Sequence, residues 1–266
     1  MNKALFRVTF KANWLIGLII LAIMLMYLGI IISMFDPESI EGIESMLEVM
    51  PQELIAAMGF AEIGTTLTTF IASFFYPFLA IMFPIIFCIT VANRLVAKLV
   101  DTGSMSYLLS SPNSRKKIVI TQALFFLLSI FLLFSGLTLA GILFSESFFP
   151  GELELLPFIQ INFVTMVAFF AVSGICFFFS CIFNKSSYSL ALGTGVTVMF
   201  FVSNMLANMS QELSWLRYLS LFSLIRPMAA AEGNITISTS VVLPLLIALI
   251  MYGLGIVIFD RRSLPL

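Results

Sequence analysis

Residues 92–117 read ANRLVAKLVDTGSMSYLLSSPNSRKK, a polar stretch between two long apolar runs that holds five of the chain's thirteen Lys and Arg residues. Arg94, Lys98 and Asp101 are spaced to share one helical face. Gly103 supplies the left-handed residue that commonly ends such a helix. A second short helix is expected behind it, with Ser104 as its cap, Tyr107, Leu108 and Leu109 as its apolar side and Pro112 as its stop. Ser114 is placed to cap the helix after that. Arg115, Lys116 and Lys117 fall in its first turn, where the macrodipole disfavours cations, so their position suits anchoring at lipid phosphates. The stretch reads as a shaped cytoplasmic docking surface.

The flanking runs decide the class. Hydrophobic residues make up 61% of the chain and charged residues 10%, with a mean hydropathy of +1.11, which excludes a soluble domain of ordinary composition. Six charge-free runs, at 12–35, 63–93, 118–145, 155–184, 186–211 and 233–259, each exceed the roughly 20 residues a helix needs to cross a bilayer. Short alternating segments of the outer-membrane barrel type are absent from them. The expected fold is all-α: a polytopic membrane protein of six transmembrane helices, forming one domain over 1–266.

Orientation follows from the basic residues. With the N-terminus, 92–117, Lys185 and the C-terminus on one side, that side collects eleven of thirteen Lys and Arg; only Arg217 and Arg226 fall on the other. The first side is expected to be cytoplasmic, in a multi-pass protein of the cell membrane. Twelve of fourteen carboxylates, all but Asp101 and Asp260, lie opposite.

Several chemistries lack their residues. There is no His, and Cys88, Cys176 and Cys181 all sit in apolar runs, so neither a disulfide framework nor a zinc site is supported. No GxxxxGK[ST] stretch is present to cradle nucleotide phosphates. The spans carry no charged residue for a proton relay or an intramembrane protease. No catalytic residue, metal or cofactor is assigned to the chain, and no nucleic-acid partner.

Between these landmarks the chain carries further signals. Lys3, Arg7 and Lys11 recur at helical spacing, which suits an interfacial helix or a charged flank orienting the first span. Asp36-Pro37-Glu38 reads as a helix start. Apolar residues from Ile40 to Met58 then recur at three- and four-residue steps, predicting an amphipathic external helix interrupted at Pro51, with Glu38, Glu41, Glu44, Glu48 and Glu53 on its polar side. The second span, about 65–92, contains Pro77 and Pro84, each able to kink it. Gly136, Ala140 and Gly141 in the third span, and Gly193 and Gly195 in the fifth, are small-residue faces for tight helix packing, also candidate contacts with a second copy. The link FNKSSYS makes the fourth and fifth spans antiparallel neighbours. Residues 210–236 suit a re-entrant or interfacial segment with Pro227 and Gly233 as breakers.

The pattern of LVDTGSMSYLLSSPNSRKKIVITQ (99–122), LRYLSLFSLIRPMAAAEG (216–233) and FDRRSLPL (259–266) resembles the permease subunits of ABC transporters of the type-2 exporter family. The likeness extends through the layout to nearly the whole chain. It implies that residues 94–115 form a coupling helix docking on a separate cytoplasmic ATP-binding subunit, which holds ATP and Mg, through Arg94, Lys98, Asp101, Gly103, Leu108, Leu109, Pro112 and Arg115. Asp101 stands where family members commonly carry Glu. The resemblance also implies a second permease copy, identical or a close paralogue. Within the family the chain is similar to permeases exporting phenol-soluble modulins and related antimicrobial peptides. Met- and Phe-rich spans without charge add to the expectation of an amphipathic or lipophilic cargo, foremost a peptide. The alternatives are a sodium-efflux permease of the same family and a non-transporting sensory or structural subunit.

Overall fold

In the computed structural model, residues 2–36, 49–60, 64–110, 114–234 and 236–263 are described. Among them the chain forms eleven α-helices and no strand, and six helices are long and apolar enough to cross a membrane. Helices are the form this composition demands, because lipid offers no partner to a backbone N–H or C=O and a helix satisfies both internally.

The helices run in this order: α1 (Lys3–Ser33), α2 (Gln52–Met58), α3 (Leu67–Phe74), α4 (Leu79–Leu95), α5 (Ala97–Asp101), α6 (Ser104–Ser110), α7 (Arg115–Phe148), α8 (Leu155–Ile182), α9 (Ser186–Met209), α10 (Pro227–Ala231) and α11 (Leu243–Arg261). A 3-10 segment covers Gln211–Leu219, and a π turn, Ser238–Val242, leads into α11. The crossing helices are α1, α4 with α5, α7, α8, α9, and α11 with its π turn.

The N-terminal basic segment is continuous with the first span, capped by Asn2. At 1.5 Å per residue α1 is about 46 Å long, well beyond a hydrocarbon core of roughly 30 Å, so its first turns reach interface level as part of the same helix. There Lys3, Arg7 and Lys11 are exposed while Leu5, Thr9 and Asn13 turn inward. Thr9 Oγ1 donates to Gln122 Oε1 at 3.2 Å, and the Asn2 N–H to Thr121 Oγ1 at 2.9 Å, registering α1 beside α7 in parallel.

The apolar run of the second span divides. Pro77 lies in a turn over residues 75–78 that separates α3 from α4, whereas Pro84 stays inside α4. The crossing helix therefore runs Leu79–Asp101, nearer the basic end than the hydropathy run suggested, and α3 is a separate, largely buried helix closed by a Thr66–Thr69 capping box. Tyr76 lies in the break, and among the described residues neither its buried Oη nor the buried Asn162 Oδ1 of α8 has a hydrogen-bond partner. The expected helix start at Asp36-Pro37 and the glutamates Glu38 to Glu48 fall on or border residues outside the described set. The described end of that external helix is α2, preceded by Pro51. Pro227 starts α10 rather than breaking a helix, and Gly233 follows it at φ +78°.

At the centre stands α8, the most deeply buried of the crossing helices, packed against α4, α7, α9, α10 and most extensively α11. Small residues allow the last contact. A Cβ on Gly174 would meet Ala248 Cα at 3.4 Å, and one on Gly255 would meet Phe178 Cα at 3.4 Å. Without a hydrophobic force between helices in lipid, such close packing supplies the attraction.

The small-residue faces then sort themselves. Gly136 packs on Leu21 of α1, and Gly141 on Phe158 and Leu28, so this face is used inside the subunit; Gly193, Gly195 and Gly253 have nothing within 4 Å. A Cβ on Gly141 would sit 2.6 Å from Phe158 Cζ. Gly141→Ala should therefore lower stability by about 1–3 kcal/mol through overpacking, seen as a lower thermal unfolding midpoint in detergent. Gly253→Ala should leave the midpoint unchanged.

Candidate functional site

The basic end of the bundle gathers α5, α6, the start of α7, the α8–α9 link and the C-terminus. Helix α4 stops at Val96, whose φ of −132° and ψ of −64° break the helical path. The break is supported from the hub: the Ala97 N–H donates to Ser180 Oγ of α8 at 2.9 Å, so an amide released by the bend is satisfied in a buried setting. Helix α5 ends as expected, with Gly103 at φ +72° and its N–H returned to Val100 O at 3.0 Å. No side chain crowds Gly103, so the backbone conformation alone calls for glycine.

Helix α6 begins at Ser104 itself, and that hydroxyl pairs with Thr102 Oγ1 at 2.9 Å rather than capping. The anchor of α6 is Met105, 2% exposed. Leu108 and Leu109, expected on an outward apolar side, are instead partly buried against the core. Tyr107 is the apolar residue left outward, at 82% exposure. Pro112 lies outside the described residues. Arg94 lies in α4 and Lys98 and Asp101 in α5, so the Val96 break interrupts the single helical face expected for them; all three are exposed.

Asp101 is tied down. Its Oδ2 accepts the Ser186 N–H at 3.1 Å, placing a carboxylate at the N-terminus of α9, where free amides and the macrodipole favour it. Ser186 Oγ exchanges hydrogen bonds with the Asn93 amide at 2.7 and 3.1 Å. The elbow of α5 and α6 is thereby bracketed to α9 from both sides of the Val96 break.

The C-terminus closes the same junction. Arg262 donates to Cys181 O, and to Phe183 O at 3.3 Å, with its guanidinium 5.5 Å from the Phe259 ring centroid. It thus neutralises the carbonyl end of α8. Burial pushes the Arg262 guanidinium down from its ordinary value, yet arginine titrates too far above neutrality to lose its charge. Arg115 Nη1 in turn donates to Arg262 O at 3.0 Å, and Ser114 Oγ caps α7 by accepting the Lys117 N–H at 3.2 Å.

Of the residues singled out in the sequence, Arg94, Lys98, Asp101, Gly103 and Arg115 come together at this end; Leu108 and Leu109 support it from within. Tyr107 was read only as part of an apolar side, and Asn93, Ser180, Ser186 and Arg262 were not assigned to the site. The only signals for them were a polar residue opening α9 and the double arginine after Asp260.

At the opposite, acidic end lies a cavity of about 1100 Å³ between the end of α9, the 3-10 segment, the start of α11 and the α3–α4 break. Asn204 and Asn208 of α9 line it together with Arg217 and Arg226. Among the described residues no cluster of His, Cys, Asp and Glu could hold a metal ion.

A family model described as ABC-2 family transporter protein matches residues 5–264. The chain belongs to that family, and is the membrane subunit of an ABC transporter. No curated protein matches it.

If Asp101 caps α9 as described, Asp101→Ala should remove about 1 kcal/mol locally. Hydrogen exchange at the first amides of α9 should then quicken about fivefold, while Asp101→Asn, which keeps an acceptor, changes it little. Unaltered exchange in Asp101→Ala would remove the bracket.

Proposed function

We propose that this ABC-2 family chain is the transmembrane half of an ATP-driven exporter, acting as one domain, with its basic end and both termini in the cytoplasm. A separate ATP-binding subunit docks on the elbow of α5 and α6 and carries ATP and Mg. The observation that supports this reading most is Tyr107, which stands outward at 82% exposure on a short helix whose flanks are fastened to the hub. At the same end of the bundle, exposed Arg94, Lys98 and Lys116 offer cations to a partner surface. An aromatic anchor ringed by polar groups is the composition of an interface hot spot.

A second permease copy, identical or a close paralogue, completes the assembly. The exposed, uncrowded faces at Gly195 and Gly253 support that reading, whereas Gly136 and Gly141 are already occupied within the subunit.

The cargo is an amphipathic or lipophilic molecule, with peptide toxins and antimicrobial peptides foremost. Spans free of charged side chains and rich in Phe and Met offer adaptable apolar contact and poor coordination for a dehydrated ion.

Tyr107→Asp should reduce co-purification of the ATP-binding subunit at least tenfold, by placing a charge in a desolvated contact. Because Tyr107 touches little in the free chain, the variant should keep its own unfolding midpoint. Full co-purification would remove the docking assignment. Reconstituted with its ATPase, the complex should hydrolyse ATP faster with amphipathic peptides and no faster with sodium; the reverse pattern would favour sodium efflux.

A further inference from the structure

The acidic end carries twelve carboxylates and two cations, Arg217 and Arg226. Both cations line the same cavity of about 1100 Å³, and among the described residues no carboxylate lines it. At an end where acid outnumbers base, this segregation gives the cavity a local positive field. Arg217 Nη2 makes one long bond, 3.4 Å, to Asn208 Oδ1. Among the described residues the Arg226 guanidinium has no hydrogen-bond partner, so most of the donors of the two forks are free to bind an anion.

Part of the wall is apolar and belongs to crossing helices. Phe200 belongs to α9, and Leu243 and Ile247 to α11, both crossing helices, and all three line the same cavity. Leu243 is 42% exposed on its helix, so the cavity reaches the level at which acyl chains begin. A site with a cationic rim and an apolar floor suits a ligand with an anionic head and an apolar tail.

We propose that this cavity binds an anionic phospholipid from the leaflet at the acidic end, its phosphate between Arg217 and Arg226 and one chain along Phe200, Leu243 and Ile247. Arginine forks match phosphate oxygens bidentately. A zwitterionic head would bring a cationic amine to a rim whose described residues include two arginines and no carboxylate, so the net-anionic class is favoured. The same field opposes a cationic peptide at this position. The inference goes beyond the transport reading, since it rests on the cavity and would survive loss of the docking assignment.

Trp215, in the same 3-10 segment as Arg217, is a built-in reporter. In full-length Trp14→Phe, where Trp215 is the remaining tryptophan, chain-brominated phosphatidylglycerol in nanodiscs should quench fluorescence more than chain-brominated phosphatidylcholine. The preference should be about thirtyfold in apparent affinity, as two cations at a membrane surface provide. Adding Arg217→Gln and Arg226→Gln should abolish it, and Lys116→Gln with Lys117→Gln at the far end should not. Equal quenching by the two lipids in the Trp14→Phe parent would overturn the proposal even if the arginine variants failed to reconstitute. So would a preference that persisted without both arginines, or one that vanished with the distant lysines.

Discussion

The rest of the structure depends on the burial of one crossing helix, α8, inside a bundle that cannot use water to hold itself together. In lipid a helix gains nothing by hiding apolar side chains from other apolar chains, so its position must come from close packing and from polar contacts that have nowhere else to go. Helix α8 uses both. Gly174 and Gly255 let it lie against α11, and Tyr252 Oη donates to Ser173 Oγ at 2.9 Å. Thr165 and Ser173 return hydrogen bonds to carbonyls of their own helix, so that buried hydroxyls cost little. At its basic end Ser180 and Arg262 tie α8 to the elbow and to the C-terminus.

Under the proposed docking, that arrangement gives the elbow of α5 and α6 a mechanical meaning. A short helix on a flexible loop would absorb a push from a partner. Here α5 is bonded to α8 through Ser180 and to α9 through Asp101, and Asn93 holds Ser186 on the far side of the bend. A displacement at Tyr107 therefore acts on two crossing helices at once, and α9 leads directly to the cavity at the acidic end.

Much of this was legible in the sequence because hydropathy and charge act locally. Six spans could be counted from charge-free runs longer than a bilayer is thick, and Gly103 and Ser114 ended and began helices as their chemistry requires. What escaped were features made by residues distant in the chain. Pro77 announced a kink, but only the packing of α3 on the rest of the bundle turned the kink into a separate helix. Tyr107, Leu108 and Leu109 look alike in sequence; Met105 settles the rotation of α6 and leaves the tyrosine outward. The glycines of α7 and α9 read the same, yet Phe158 and Leu28 occupy one face and nothing meets the other. The cavity draws its wall from α3, α4, α9, the 3-10 segment and α11, so no single stretch could disclose it.

The central claim is that the elbow and the start of α9 move as one body. Spin labels at Tyr107 and Tyr188, both well exposed, report the separation across the bracket, and a label at Tyr218, 94% exposed, reports the acidic end. Pulsed dipolar distances measured in the assembled transporter, with and without trapped nucleotide, test the claim directly. The account predicts that the 107–188 distribution stays fixed while the 107–218 distribution shifts. A shift between 107 and 188 with 107–218 unchanged would contradict it.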